Sequence, residues 1–129
     1  MIVVDAGTIV VALADDGADG DRCRSRLRGE RLVAPHLLDL EVVSAWRRLL
    51  AQGELDERRA TLALDDLRSL PLRRMPHRPL LDRCWELRKN VTPYDAAYVA
   101  LAEVLDVPLL TTDERLRRAP GTSARIEVV

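Results

Sequence analysis

The segment of residues 90–113 constrains the fold of this chain more than any other part. Thr92 and Pro93 are typical of a helix cap and a first helical position, and the residues that follow are apolar around most of a helix circumference. Such a helix has to be buried. Residues 109–111 follow a break in the helical pattern and are long enough only for a short central strand. The segment therefore predicts a buried helix that leads into a buried sheet.

Two carboxylates lie at the ends of these buried elements. Asp95 falls three residues after the predicted cap, and Asp113 follows the point where the strand should leave the sheet. Taken alone, Asp95 is also explained as the second half of a capping box, in which its side chain binds back to the cap residue. The pair therefore indicates a functional site only if other acidic residues lie at comparable positions of the fold.

Length and composition indicate one domain, residues 1–129, with a substantial core. Apolar residues make up 47% of the chain, which excludes a disordered tail, and no apolar run approaches the length of a membrane span. Asp5 interrupts what would be the apolar part of a signal peptide, and Cys23 and Cys84 are isolated. These features predict a cytoplasmic protein with reduced thiols and no membrane contact. A net charge of −1 does not by itself indicate nucleic-acid binding.

Short apolar runs alternate with helical patterns along the chain. The predicted strands are residues 2–4, 32–35, 70–75, 109–111 and 125–129. The third is an edge-strand candidate, because an edge tolerates Pro71. The predicted helices are residues 9–14, 21–29, 36–52, 56–69, 79–88, 93–105 and 114–119. This order predicts an α/β fold with a mostly parallel central sheet of about five strands and helices on both faces.

Four acidic residues are predicted to meet at one edge of this sheet. Asp5 follows the first strand as Asp113 follows a later one, and ligands of open parallel sheets bind at the carboxyl ends of the strands. Glu41 and Asp95 lie near the starts of helices that face the same edge. Carboxylates brought together repel each other, and a hard divalent cation relieves that repulsion. Oxygen ligands without His or Cys select Mg²⁺ or Mn²⁺.

Taken singly, these residues also have structural explanations. Asp5 could cap the helix that follows it, and Glu41 could be a surface residue paired with Arg47 or Arg48. Asp39 points to another side of its helix than Glu41, so only one of the two can face a common cleft. The joint placement of the four acidic residues favours a metal site over these separate explanations.

Four motifs resemble those of the PIN domain, and most closely those of its toxin branch, the VapC-type toxins of bacterial toxin–antitoxin pairs. They are Val4-Asp5-Ala, His36-Leu-Leu-Asp-Leu-Glu41, Thr92-Pro-Tyr-Asp95-Ala-Ala-Tyr98 and Leu110-Thr-Thr-Asp113-Glu-Arg-Leu. The resemblance spans nearly the whole chain and implies a single PIN-like domain that acts as a Mg²⁺- or Mn²⁺-dependent endoribonuclease. It implies a set of catalytic and metal-binding residues, Asp5, Glu41, Asp95 and Asp113, with Thr112 as a supporting hydroxyl.

The resemblance also implies partners: RNA as the substrate, a small cognate antitoxin protein that covers the active site, and a second copy of the chain in a homodimer. The arginines available to grip RNA phosphates lie at residues 22–28, 73–74 and 115–118. The chain departs from the family at Gly7, because the family often has a serine two residues after the first aspartate. Thr8, one place further on, is the candidate to supply that hydroxyl.

Two other functions fit parts of the sequence. Asp5-Ala-Gly-Thr8 is similar to the start of an aspartyl-phosphate phosphohydrolase motif. Such enzymes need a lysine beside the phosphate, and Lys89 precedes the Asp95 helix rather than following a strand. The other alternative is a catalytically inactive module that binds RNA or protein on the PIN fold. The intact acidic positions argue against it, and a metal-dependent cleavage assay separates the two.

Overall fold

Five parallel strands form one sheet at the centre of the computed structural model, which describes residues 1–129. The strands are β1 (Ile2–Val4), β2 (Leu32–Pro35), β3 (Leu72–Met75), β4 (Leu109–Thr111) and β5 (Ile126–Val128). They lie in the order β3-β2-β1-β4-β5, so the first strand of the chain occupies the middle of the sheet. Because every neighbouring pair is parallel, all the carboxyl ends meet at one edge.

Both faces of the sheet are covered at its centre. Val3 of β1 is opposite Val33 of β2 on one side and Leu109 of β4 on the other. Successive side chains of a strand point to opposite faces of a sheet, yet every residue of β1 is at most 1% exposed. A strand that is buried on both faces explains why β1 is a continuous apolar run.

Seven α-helices connect and cover the strands. They are α1 (Ala6–Ala14), α2 (Ala18–Leu27), α3 (Leu38–Ala51), α4 (Glu57–Ser69), α5 (Leu81–Glu86), α6 (Pro93–Leu105) and α7 (Glu114–Arg117). Helix α1 packs against α2, α3 and α4, whereas α6 packs against α5 and against strands β1 and β2. Helix α6 is buried without a break from Ala96 to Ala102, which explains why it is apolar on every side.

Helix α6 begins and ends as its sequence predicts. The Thr92 hydroxyl accepts a hydrogen bond from the amide of Asp95, and Pro93 occupies the first helical position. At the other end Asp106 adopts a left-handed conformation with a φ of 52°, the geometry that closes many helices. The chain then enters β4 at Leu109, so a short connection links the buried helix to the strand beside β1.

The structure confirms the predicted fold class, a five-stranded α/β sheet, and the sheet is parallel throughout rather than mostly parallel. Strand β3 is the edge strand that the sequence indicates. Helix α1 begins at Ala6, three residues earlier than predicted, because Asp5 caps it directly after the strand. The helix predicted at residues 79–88 is a 3-10 turn, Arg78–Leu80, followed by the shorter α5. None of the helices is long and apolar enough to cross a membrane.

Candidate active site

The carboxyl ends of the neighbouring strands β1 and β4 lead directly to two acidic residues. Asp5 follows the last residue of β1, and Asp113 lies two residues beyond the end of β4. The strands are joined at this point, because the buried Thr111 hydroxyl donates a 2.5 Å hydrogen bond to Asp5 Oδ2. The parallel topology therefore brings these two members of the predicted acidic set to the same edge of the sheet.

Asp5 is held by hydrogen bonds to both of its carboxylate oxygens. Its Oδ1 accepts the Thr8 amide at 2.9 Å and the Thr8 hydroxyl at 2.7 Å, while its Oδ2 accepts the bond from Thr111. Burial raises the pKa of Asp5 above its ordinary value although these hydrogen bonds lower it, and the charge of Asp95 raises it further. Asp5 is thus both the cap of α1 and a member of an acidic group.

Asp95 lies in the first turn of α6 and is partly buried. Its amide donates to Thr92 Oγ1 at 3.2 Å, but the return bond of a capping box, from the Thr92 amide to the Asp95 carboxylate, is absent. Burial raises the pKa of Asp95 and the charge of Asp113 raises it as well, whereas the Thr92 side chain and the charge of Arg115 lower it. A full capping box is therefore not formed, and the Asp95 carboxylate interacts with Asp113 as well as with the cap residue.

Glu41 is linked to α6 by the side chain of Tyr98. The hydroxyl of this buried tyrosine donates a 2.6 Å hydrogen bond to Glu41 Oε1. Burial raises the pKa of Glu41, the Tyr98 hydrogen bond lowers it, and the charges of Asp95 and Asp5 raise it. The balance is a raised pKa, and the Tyr98 hydrogen bond attaches Glu41 to α6, the helix that also carries Asp95.

The two acidic residues in the first turn of α3 have different partners. Asp39 accepts two hydrogen bonds from the Arg74 guanidinium on β3, at 2.7 and 2.9 Å. Glu41 makes no ion pair with Arg47 or Arg48 of its own helix. The alternative that Glu41 is a surface residue paired with one of these arginines is therefore wrong. Only Glu41 therefore faces the acidic group, as the helical spacing predicts.

Asp113 differs from the other members of the group because it already has a cationic partner. It caps α7 by accepting the Arg115 amide at 2.9 Å, and the Arg115 guanidinium contacts its two carboxylate oxygens at 3.2 Å each. This guanidinium lowers the pKa of Asp113. The site therefore combines three carboxylates of raised pKa with one whose charge is balanced.

The Thr112 side chain occupies the space that a side chain at position 7 would need. A Cβ added to Gly7 would lie 2.8 Å from Thr112 Oγ1 and 3.7 Å from Asp5 Oδ1. Thr8, the candidate suggested by proximity in sequence, is fully buried and directs its hydroxyl to Asp5 Oδ1 and to the Leu110 carbonyl. The exposed hydroxyl near Asp5 thus comes from Thr112, in a different part of the chain.

The donor set of this group suits a hard divalent cation in its chemistry. It consists of carboxylate oxygens with neighbouring hydroxyls, the ligand type of Mg²⁺ and Mn²⁺. No group of three or more His, Cys, Asp or Glu side chains is already arranged to hold an ion. The charge of Asp95 nonetheless raises the pKa of both Asp5 and Glu41, and that of Asp113 raises the pKa of Asp95. Three of the four carboxylates thus have a pKa raised in part by a neighbouring carboxylate, and a cation would relieve this repulsion.

The sequence does not predict three contacts of the acidic group. They are the bond of Thr111 to Asp5, that of Tyr98 to Glu41 and that of Arg115 to Asp113. Thr111 and Tyr98 share a usable signal, because each introduces a hydroxyl into an otherwise apolar element and a buried hydroxyl needs a partner. Arg115 has no such signal, since an exposed arginine needs no partner at all.

Comparison with known proteins finds relatives over the length of the chain. The sequence pattern of the PIN domain matches residues 2–121. Ribonuclease VapC1 of Mycobacterium tuberculosis is 51% identical over 128 residues, which cover 98% of this chain and 96% of the relative. Ribonuclease VapC9 of the same organism is 42% identical over 129 residues, which cover 100% of this chain and 98% of the relative.

Solved structures share the fold. The crystal structure of PAE2754 from Pyrobaculum aerophilum matches with a TM-score of 0.71 at 26% identity, over 98% of this chain and 83% of that one. The Mycobacterium tuberculosis toxin VapC20, which cleaves the sarcin–ricin loop, matches with a TM-score of 0.70 at 15% identity, over 95% of this chain and 96% of that one. The same arrangement of strands and helices is thus built by very different sequences.

Proposed function

The chain belongs to the PIN-domain family, and we propose that it is an endoribonuclease, the toxin of a type II toxin–antitoxin pair. The observation that carries the proposal is the placement of four carboxylates at the carboxyl edge of the sheet. Asp5 and Asp113 follow adjacent strands, Asp95 shares a cleft with Asp113, and Glu41 is bonded to the helix that carries Asp95. Relatives 51% and 42% identical over nearly the whole chain are ribonucleases. Hydrolysis of a phosphodiester bond is a reaction that such a group supports together with a divalent cation.

Asp5, Asp95 and Asp113 are the proposed ligands of this cation, with Glu41 as a further ligand or as the acceptor of a proton from water. When bound, Mg²⁺ or Mn²⁺ lowers the pKa of a water molecule and offsets charge on the phosphoryl group. Asp113 accepts hydrogen bonds from Arg115, but its carboxylate oxygens have further lone pairs that a cation could use. Displacing Arg115 would also cost little, because this side chain is 91% exposed and exposed ion pairs are weak.

The neighbours of the acidic group hold two of its members in place. The Tyr98 hydroxyl donates to Oε1 of Glu41, which leaves Oε2 without a hydrogen bond from the chain as the oxygen proposed to receive a proton. The Thr111 hydroxyl fixes Asp5 from the side of β4. In the proposed reaction a water oxygen adds to phosphorus, the bond from phosphorus to the 3′ oxygen breaks, and solvent supplies the proton to that oxygen. General-base chemistry of this kind depends on positioned groups.

The proposed partners follow from the same family. RNA is the substrate, and a cognate antitoxin protein covers the acidic group. An Arg or Lys of the antitoxin is the group that would satisfy these carboxylates, so metal and antitoxin should compete, because linkage between two ligands is reciprocal. The homodimer is proposed on the family resemblance alone.

The test is cleavage of a labelled RNA by the purified chain, first with divalent cations removed by EDTA and then with Mn²⁺ or Mg²⁺ in excess. We expect cleavage only in the second condition. Asp95→Asn should cleave on the order of 100-fold more slowly, since changes around metal ligands already cost that much. The variant should keep its circular dichroism spectrum and melting temperature, because the amide at position 95 still donates to Thr92.

Asp82→Asn is the matched control, since Asp82 is an exposed aspartate on α5 and its substitution removes the same charge. It should cleave as fast as the unmodified chain. Cleavage that continues undiminished in EDTA would contradict the metal dependence. Normal cleavage by a folded Asp95→Asn variant would contradict the assignment of the site.

A further inference from the structure

A polar cleft adjoins the acidic group on the side of α7. It has a volume of about 460 Å³ and lies between the loop before α6 and the segment that contains α7. Its polar side chains are those of Asn90, Thr92, Asp95, Asp113, Arg115 and Arg118. Two members of the acidic group therefore share one cleft with two arginines.

Arg115 and Arg118 are exposed and weakly held. Arg115 is 91% exposed, and both guanidinium bonds to the Asp113 carboxylate are 3.2 Å long. Arg118 is 76% exposed and lies 3.7 Å from Glu114. Exposed ion pairs contribute little to stability, so each arginine can exchange its carboxylate for another anion at small cost.

Other arginines predicted as phosphate contacts have structural partners. Arg26 binds Glu127 through two hydrogen bonds of 2.5 and 2.9 Å, and Arg74 binds Asp39 in the same way. Arg24 donates to two backbone carbonyls at the end of α1. These arginines are partly buried, and releasing any of them would leave acceptors without their donor. They are therefore unsuited to binding and releasing a substrate.

We infer that Arg115 and Arg118 bind an RNA phosphate next to the bond that is cleaved. The inference rests on the proposed function. Arg115 already presents Nε and an Nη nitrogen side by side to the two oxygens of Asp113, which is the geometry that a guanidinium uses on a phosphate. Because its ion pair with Asp113 is exposed and weak, the Arg115 guanidinium can exchange this carboxylate for another anion within the cleft. An RNA phosphate is then the anion that replaces the carboxylate.

The test measures how tightly a fluorescein-labelled, single-stranded RNA of mixed sequence binds to Arg115→Gln and to Arg118→Gln. The buffer contains Ca²⁺, a hard cation with oxygen ligands, and the RNA is checked for integrity after each titration. For each variant we expect the dissociation constant to rise roughly tenfold, as for other lost hydrogen bonds to charged groups. The plot of log affinity against log salt has a negative slope, and its magnitude should fall by about 0.7 for each phosphate contact that is lost from a single strand.

Arg117→Gln is the matched control, because Arg117 lies on the same helix, pairs with Glu114 and does not line the cleft. It should bind RNA as the unmodified chain does, and Arg115→Lys should bind better than Arg115→Gln because it keeps the charge. RNA binding that is unchanged in Arg115→Gln, or equally weakened in Arg117→Gln, overturns the inference.

A second measurement separates RNA binding from an effect on Asp113 alone. This measurement is the Mn²⁺ concentration needed to raise the melting temperature. If Arg115→Gln needs less Mn²⁺ than the unmodified chain but binds RNA equally well, Arg115 acts through Asp113 and the inference is wrong. If the unmodified chain neither binds nor cleaves RNA, the proposed function fails and the inference fails with it.

Discussion

Thr112 Oγ1 lies 2.8 Å from the point that a Cβ on Gly7 would occupy. Gly7 belongs to the first turn of α1, whereas Thr112 follows the end of β4, so two distant parts of the chain meet at one small space. The glycine leaves room for the threonine hydroxyl near Asp5, whose Oδ1 is 3.7 Å from the same point. The pair explains how a chain without a serine at position 7 keeps an exposed hydroxyl near the acidic group.

Gly7→Ala should reduce RNA cleavage because the new methyl group displaces the Thr112 hydroxyl. The exposed Thr112 side chain is free to rotate, so we expect the free energy of unfolding to change by no more than about 1 kcal/mol. Thr112→Ala should reduce cleavage too. A double-mutant cycle of cleavage rates is the measurement, and the double variant should be no slower than Thr112→Ala alone.

Independent, additive losses in that cycle would contradict a shared cause. The combination Gly7→Ser with Thr112→Ala supplies a hydroxyl from the other side of the same space. It should therefore cleave faster than Gly7→Ala with Thr112→Ala.

Tyr98→Phe should slow cleavage by roughly tenfold, because Glu41 loses the hydrogen bond that positions it. The free energy of unfolding should fall by about 1.5 kcal/mol, the lower end for a hydrogen bond to a charged group. The measurements are kcat for RNA cleavage and the urea midpoint. Tyr94→Phe is the control, since Tyr94 is 63% exposed on the same helix and the same hydroxyl is removed. Equal behaviour of the two variants would mean that Tyr98 does not act through Glu41.

Mn²⁺ or Mg²⁺ should raise the melting temperature of the chain, because the ion binds the folded acidic group and relieves its repulsion. A cation at one hundred times its dissociation constant stabilises the folded state by about 2.7 kcal/mol. The rise should be much smaller in Asp5→Asn with Asp113→Asn, in which Asn still caps both helices. Asp66→Asn with Asp82→Asn removes the same charge from exposed positions and should respond as the unmodified chain does. A full response by the first double variant would place the bound ion elsewhere.

The Arg26–Glu127 pair should make stability depend on pH in the acid range. The Arg26 guanidinium lowers the pKa of Glu127 below its ordinary value of 4.5. A carboxylate whose pKa is lowered by folding contributes stability that is fully present above its unfolded pKa and is lost as the pH falls through the folded one. The stability difference between the unmodified chain and Glu127→Gln should therefore be largest near neutral pH and shrink below 4.5.

Urea midpoints of both proteins across that pH range test this prediction, because other titrating groups cancel in the difference. A difference that stays constant down to acid pH would show that the ion pair adds nothing to the stability of the folded chain.

Local signals in the sequence determined the secondary structure and the fold class. Thr92 and Pro93 define the start of α6, and the unbroken apolar character of the helix shows that it is buried. The bounds of β2 and β4 agree with the sequence prediction to the residue. Caps, breaks and hydrophobic periodicity act over a few residues, which is why they are readable without the rest of the molecule. The acidic residues were predicted as a set because parallel topology sends strand ends to one edge.

Only the tertiary structure decided what each acidic residue touches. Tyr98 and Glu41 are 57 positions apart, and Thr111 and Asp5 are 106 apart, yet each pair is joined by a hydrogen bond. Such a bond requires two atoms to lie within about 3 Å, whereas periodicity specifies only the face of a helix or strand. The packing of distant elements therefore decides which hydroxyl lies near Asp5. The pattern along the chain also does not show which carboxylate is already paired with an arginine.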